Sequence, residues 1–185
     1  MAVVWVTGGS GVGKSTICEL LRIRGELAVD ADMDGYNRWV DRKSGQVVAE
    51  SPAVVPEGWL YRFAWKISRA DVEALAAASQ GKTAFLCGYA ENEDEVRDLF
   101  DLAVCLVADT ETIRARLLTR NNNPFGKHPE EMAAAVAEND GLETNYLRLG
   151  ATVVDARQPP AHVADAVLVA AAKITPARSE PPAGS

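Results

Sequence analysis

The chain of 185 residues is predicted to form an α/β fold, a doubly wound five-stranded parallel sheet in three layers, and three features of the sequence carry that prediction. Short apolar runs alternate with amphipathic stretches along most of its length. Leu102-Ala103-Val104-Cys105-Leu106-Val107 is the unbroken apolar type of strand that a parallel sheet buries on both faces. A glycine-rich turn follows the first apolar run directly, which places a strand, a tight loop and a helix in that order.

That turn is Gly8-Gly9-Ser10-Gly11-Val12-Gly13-Lys14-Ser15-Thr16, behind Val3-Val4-Trp5-Val6, and it satisfies the G-x-x-x-x-G-K-[ST] spacing of a phosphate-binding loop. Glycine permits the positive φ values and close approach that aim backbone N–H groups inward at phosphate oxygens. The helix opening near Lys14 adds the positive end of its dipole. Lys14 is placed for the β- and γ-phosphates and the Ser15 hydroxyl for Mg²⁺, so ATP and Mg²⁺ are the expected cofactors.

Ile17, Leu20 and Leu21 continue that first helix at helical spacing, and Leu27-Ala28-Val29 is a second strand ending in Asp30. From Asp32 to Trp65 the pattern is irregular, with Trp39, Trp59, Tyr61, Phe63 and Trp65 interleaved with Arg38, Arg42, Lys43, Arg62 and Lys66. Such a mixture suits either a substrate pocket or an aromatic cluster pinning down loops. Ser68-x-x-Asp71 caps a helix carrying Val72 and Leu75 and ending at Gly81. Thr83 to Cys87 is a third strand, and Asn92-x-x-Glu95 predicts a cap for a helix bearing Val96, Leu99 and Phe100. The 102–107 strand is the fourth; Asp109 or Thr110 then opens a helix through Arg120. A polar loop over about 121–129 precedes a helical run that opens with Glu130-Glu131 and contains Met132 and Val136. Ala151 to Val154 is the fifth strand, and a last helix from about Pro160 aligns Val163, Val167, Ala170, Ala171 and Ile174. Residues 1–174 thus read as one domain, and the Pro/Ala/Gly/Ser-rich 175–185 as a disordered tail.

Four groups beyond the loop can serve the chemistry. Asp30-Ala31-Asp32 sits where a strand has just ended, so one carboxylate can hold Mg²⁺ through water while the other accepts a hydrogen bond from an attacking hydroxyl. On the helix ending at Arg120, Ile113 and Leu117 define the buried side; Arg116 and Arg120 border it one turn apart, whereas Arg114 turns away. A planar guanidinium beside a cleft suits phosphate oxygens, so Arg116 and Arg120 are catalytic candidates. The 121–129 loop, with Gly126, Lys127 and His128, can act as a lid, although His128 before Pro129 suits a helix cap better than catalysis. The turn Asp155-Ala156-Arg157-Gln158-Pro159 follows the fifth strand on the same sheet edge and can face a purine.

A net charge of −7 opposes nucleic acid as a partner and favours a small molecule plus nucleotide. Cys18, Cys87 and Cys105 lie apart in apolar segments, without metal-ligand spacing, and read as core residues of a reducing compartment. No apolar run reaches the ~20 residues of a membrane span, so a cytoplasmic location is expected. Asp32-Met33-Asp34-Gly35 matches the D-x-x-G of nucleotide-dependent switches, but no Asn-Lys-x-Asp follows to read guanine. A switch, or an ATPase module acting on a macromolecule, is therefore the alternative to a small-molecule enzyme.

On these motifs the chain resembles the small P-loop kinases that include the nucleoside monophosphate, shikimate and gluconate kinases. The resemblance implies ATP-dependent phosphoryl transfer to a small hydroxylated metabolite, nucleoside or nucleotide. It implies Asp30 for the metal, Asp32 for the accepting hydroxyl, and Arg116 and Arg120 as lid arginines. Gly88 and Tyr89 would form the substrate turn after the third strand, Arg62 would bind substrate, and Ala156, Gln158 and Pro159 would flank the adenine. Gly88-Tyr89 replaces the paired glycines of shikimate kinases, which points away from shikimate.

Overall fold

The computed structural model describes residues 2–52, 54–121 and 123–174. The tail expected over 175–185 lies outside them, as does Asn122 of the lid. Five parallel strands, β1 (Ala2–Thr7), β2 (Leu27–Asp30), β5 (Thr83–Cys87), β6 (Leu102–Val107) and β7 (Thr152–Asp155), form one sheet in the order β2-β5-β1-β6-β7. The order reverses direction at β1, whose C-terminal end is therefore the crevice where open α/β sheets bind ligands. The phosphate loop leaves the sheet at that point.

Side chains alternate across the sheet, and each face gathers its own core. Val4 and Val6 of β1, with Phe85 and Leu106, meet Ile17 and Leu21 of α1 (Lys14–Ile23), Ile113 and Leu117 of α5 (Thr110–Thr119), and Val163 and Val167 of α8 (Pro160–Ala172). Trp5, Ala84 and Leu86 point the other way, onto Val72 and Leu75 of α3 (Arg69–Ala78). Cys105 meets Leu142 and Tyr146 of α7 (Leu142–Arg148), and Val107 and Val153 pack beside them. All five expected strands form, as do the helices opening at Lys14, Ser68, Asp109 and Pro160; the Ser68 and Asp109 side chains accept from Asp71 N and Thr112 N. The three cysteines are free and buried.

Three differences from the sequence expectations have physical causes. The irregular stretch after Asp32 contains an antiparallel hairpin, β3 (Asn37–Asp41) with β4 (Phe63–Ile67), in which Trp39 stands opposite Trp65. Cross-strand aromatic pairing stabilises it and the intervening chain hides it from a local pattern; a single turn, α2 (Trp59–Arg62), leads into β4. The helix expected after Asn92 is one turn, α4 (Glu93–Val96), followed by a 3-10 turn over Arg97–Leu99. Asn92 makes no side-chain cap there, because its amide pairs with both backbone groups of Ile67 at 2.9 and 3.1 Å and so ties the hairpin to the sheet. Finally, α7 follows the helix α6 (Pro129–Asn139) after a left-handed Gly141; its apolar spacing of only Leu142 and Tyr146 is too short to announce a helix.

Gly88, just after β5, has no room for a side chain: a Cβ there would stand 2.3 Å from the Ala31 Cβ. Gly88→Ala is expected to destabilise the fold by about 1–3 kcal/mol, the cost of overpacking a well-filled site, measured as a lowered denaturant midpoint at unchanged slope.

Candidate active site

The phosphate loop forms because its glycines occupy conformations closed to other residues. Gly8, Gly11 and Gly13 have φ of 139°, 86° and 106°, and a Cβ on Gly8 would come within 2.4 Å of the Leu106 carbonyl oxygen. Gly13 precedes α1 without any side-chain cap, so the first amides of that helix keep their donors for a ligand. Lys14 folds back over the loop and donates to the Gly8 and Gly9 carbonyls at 2.7 and 3.0 Å. Burial lowers the Lys14 pKa, opposed by the carboxylates of Glu138, Asp32 and Asp30. Ser15 and Thr16 are exposed at the start of α1.

In front of the loop lies a cavity of about 870 Å³, into which the fold brings Lys14, Ser15, Asp32, Tyr89, Arg116 and Arg120 together with Ala156. This is the size range of a small-molecule site. Arg116 spans it, donating to the Val12 carbonyl at 3.0 Å and the Ala156 carbonyl at 2.8 Å, so one guanidinium ties the phosphate loop to the turn after β7. Arg120, at the end of α5, donates to the Phe125 carbonyl at 2.8 Å, while its Nε is buried without a partner among the described residues. Burial pulls Arg120 below the ordinary arginine range, and Asp32 and Glu131 pull it back. A buried, incompletely satisfied guanidinium is poised to take an anion.

Asp32 sits at the far side of this arginine. Its Oδ1 accepts from Asn37 Nδ2 at 2.7 Å and from Trp65 Nε1 at 2.8 Å, and Asn37 also donates to the Tyr89 carbonyl at 2.9 Å. The carboxylate is thereby oriented by β3, β4 and the turn after β5. Trp39 packs on Trp65 at a ring separation of 4.8 Å, and both rings line the cavity beside Asp32. Neither Asn37 nor this network has a sequence signature, since its members are joined only by the hairpin.

Several expected residues lie elsewhere. Asp30 is buried, and its Oδ1 accepts from Asp32 N at 3.0 Å and Met33 N at 3.1 Å, so it shapes the turn rather than lining the cavity. Of the pair, Asp32 faces the site. Arg62 points outward, bonded to Asp41 at 2.9 Å and stacked over Phe63 at 4.9 Å; the hairpin register instead sends Arg42 to the cavity wall. Gln158 and Pro159 are exposed and do not line the cavity, whereas Ala156 and Pro160 do. In the lid, Asn123, Pro124 and Phe125 line the cavity while Lys127 is exposed; His128 sits at the N-cap of α6, as its position before Pro129 suggested.

Two acids of α6 complete the site. The Glu131 carboxylate is buried and accepts from Gly126 N at 2.8 Å, holding the lid turn. Glu138 accepts from Ser10 N at 3.4 Å and interacts with the Tyr89 phenol. Burial raises its pKa, opposed by Lys14, the Ser10 amide and Tyr89. The sequence offered no signal for either, because helical spacing alone does not say which face of α6 turns to the loop.

The residues present fit a nucleoside triphosphate: a loop of positive-φ glycines with no room for a side chain at Gly8, uncapped helix amides, one lysine and two arginines converge on one opening. Ser15 and Asp32 fit a hydrated Mg²⁺, because both are exposed oxygen donors lining the same cavity. A family profile described as AAA domain matches residues 4–137. The chain belongs to that family. No curated protein matches by sequence. Solved structures with the same fold include a gluconokinase from Sinorhizobium meliloti 1021, at 18% identity over 94% of this chain and 93% of that one with a TM-score of 0.55. A sugar kinase from Janibacter sp. HTCC2649 matches at 21% identity over 98% and 99% with a TM-score of 0.55. Shikimate kinase from Acinetobacter baumannii matches at 14% identity over 97% and 96% with a TM-score of 0.56. The architecture of this AAA domain protein is thus that of the P-loop kinases. Among the described residues, no helix is long and apolar enough to cross a membrane.

The outward placement of Arg62, whose side chain is 72% exposed, gives a direct test of the site's boundary. Arg62→Ala should cost less than about 1 kcal/mol of stability, as exposed ion pairs do, and leave nucleotide affinity unchanged in calorimetry. Arg116→Ala should weaken nucleotide binding on the order of tenfold or more, because charge-assisted hydrogen bonds are the strong ones.

Proposed function

We propose that this protein is an ATP- and Mg²⁺-dependent phosphotransferase that moves the γ-phosphoryl group to the hydroxyl of a small molecule. The observation that carries the reading is the position of Asp32, on the same cavity as Lys14, Arg116 and Arg120 and fixed through Oδ1 by Asn37 and Trp65. A carboxylate held this way can accept the proton hydrogen bond of an attacking hydroxyl. Kinase folds at low identity add weight without deciding the acceptor.

On this reading each group has one task. The loop amides and Lys14 hold the β- and γ-phosphates, and Arg116 and Arg120 offset charge spreading over the transferred group. Asp32 orients the acceptor hydroxyl in line with the phosphorus and takes its proton as the oxygen bonds the γ-phosphorus and ADP departs, then gives it up to solvent. Ser15 and Asp32 would hold Mg²⁺, which would supply further neutralisation of the phosphate charge. Phe125 and its neighbours close the cavity against water, which a kinase must exclude to avoid hydrolysing its donor. Ala156 faces the nucleotide end of the cavity, where the turn after β7 can flank adenine. Three free, buried thiols suit a reducing compartment and hence the cytoplasm.

Lys14→Met should remove turnover while preserving the melting temperature within a few degrees, read by coupled ADP release over a panel of hydroxylated acceptors. Asp32→Asn should lower kcat by about 10²–10⁴ with the ATP affinity retained, the usual range for a lost acid–base group. Near-normal phosphotransfer by either variant would overturn the assignment.

A further inference from the structure

The charges on the cavity wall are divided unevenly. Its cations are Lys14, Arg42, Arg116 and Arg120. Three of them surround the phosphate loop and the lid, where a triphosphate would use them. The fourth, Arg42, stands at the hairpin end, and it is already engaged by the Leu60 carbonyl at 3.2 Å and by the Glu91 carboxylate. Of the cations lining this cavity, none at the hairpin end is therefore uncommitted; Arg148, exposed in the adjoining recess that Tyr89 and Glu138 also line, stands outside it. An acceptor bearing a carboxylate or a phosphate would have to bring that charge next to Asp32 and Glu138 without a counter-ion, a costly arrangement in a closed site.

Glu138 sharpens the argument. Its Oε2 accepts from Ser10 N, in the phosphate loop, its Oε1 is buried without a close hydrogen-bond partner among the described residues, and the Tyr89 phenol and the Lys14 ammonium act on the carboxylate from nearby. A buried acceptor atom left unpaired in a functional cavity calls for a donor from elsewhere. Its position beside the loop also puts a negative group next to the place where the terminal phosphate must sit, so a ligand that brings positive charge there relieves two anions together. Trp39 and Trp65 meanwhile offer an aromatic wall beside Asp32, suited to the apolar face of a ring.

Resting on the kinase reading above, we propose that the phosphoryl acceptor is a hydroxylated ring carrying a protonated amine, of the amino sugar or aminocyclitol class, whose ammonium is bound by Glu138 while its reacting hydroxyl lies at Asp32. Glu138 is then the residue that selects the acceptor. The bond between the γ-phosphorus of ATP and its bridging oxygen breaks with ADP as leaving group, the ring hydroxyl oxygen bonds the phosphorus, and its proton passes to Asp32 and on to solvent; the amine is not consumed.

The test is a coupled ADP-release assay of the full chain with MgATP and matched acceptors: glucosamine and 2-deoxystreptamine as amines, glucose and myo-inositol as neutral counterparts, gluconate and thymidine 5′-monophosphate as anions. The amines should exceed their neutral and anionic counterparts in kcat/KM by on the order of tenfold or more, the scale of one hydrogen bond to a charged group. Glu138→Gln should raise the KM for the amine about tenfold more than it raises the KM for a neutral counterpart. Equal or faster turnover of a neutral or anionic acceptor, turnover with none of the six, or an equal KM rise for amine and neutral compounds in Glu138→Gln would overturn the proposal. Should that variant not fold, the acceptor panel with the unaltered chain decides alone. Equilibrium dialysis of MgATP separates the two levels: absence of uptake defeats the kinase reading itself, whereas uptake with the wrong acceptor preference defeats only the amine assignment.

Discussion

The tight seating of the β1–α1 loop against β6 and α5 is the constraint on which the site depends. Gly8 lies so close to the Leu106 carbonyl that no side chain fits, and a Cβ on Gly11 would come within 3.1 Å of the Leu117 side chain. Leu117 is fully buried and also fills the space in front of Gly126, where a Cβ would come within 3.0 Å of it. One leucine of α5 thus packs against the phosphate loop on one side and the lid turn on the other. Arg116, its neighbour in sequence, bonds the loop at Val12 and the β7 turn at Ala156. Apolar contact and hydrogen bonding on adjacent residues therefore register three segments to one another.

This coupling explains why the donor half of the site was readable in the sequence. The loop, its helix and the two arginines are local signals: fixed spacing in one case, helical angle in the other, and both report directly on geometry. The parallel strands were legible for the same reason, since a continuous apolar run between polar turns has few other uses. His128 at its cap and the outward Arg114 follow from the same local rules.

The acceptor half was not legible, because its geometry is made by long-range pairing. Asp32 acquires its orientation from Asn37, five residues on, and from Trp65, which reaches it only through the β3–β4 register. That register also decides which arginine enters the cavity: Arg42 does and Arg62, facing Asp41, does not. A sequence shows aromatic and basic residues interleaved, but a shift of one residue in the pairing would exchange the two faces. Asp30 illustrates the converse. It has the residue type and spacing of a metal ligand, yet its Oδ1 satisfies two amides of its own turn and so gives Asp32 its exposure.

The division into a legible donor half and an illegible acceptor half has a chemical counterpart. Every triphosphate presents the same oxygens, so its binding can be written in a short, local code of glycines, one lysine and helix amides. Acceptors differ in shape and charge, and discrimination among them requires groups gathered from separate elements and left without partners until the ligand arrives. Glu138 on α6, Asp32 after β2 and Trp65 on β4 are gathered in this way onto one cavity; Trp65 Nε1 already holds Asp32 Oδ1, and of the three only Glu138 keeps a buried oxygen without a partner among the described residues. Because α6 also carries Glu131, which holds the lid turn through Gly126, a ligand that engages Glu138 acts on the same helix that anchors the lid. On the proposed reading, acceptor recognition at Glu138 and the turn held by Glu131 share one helix, so that water would be excluded when both substrates are in place.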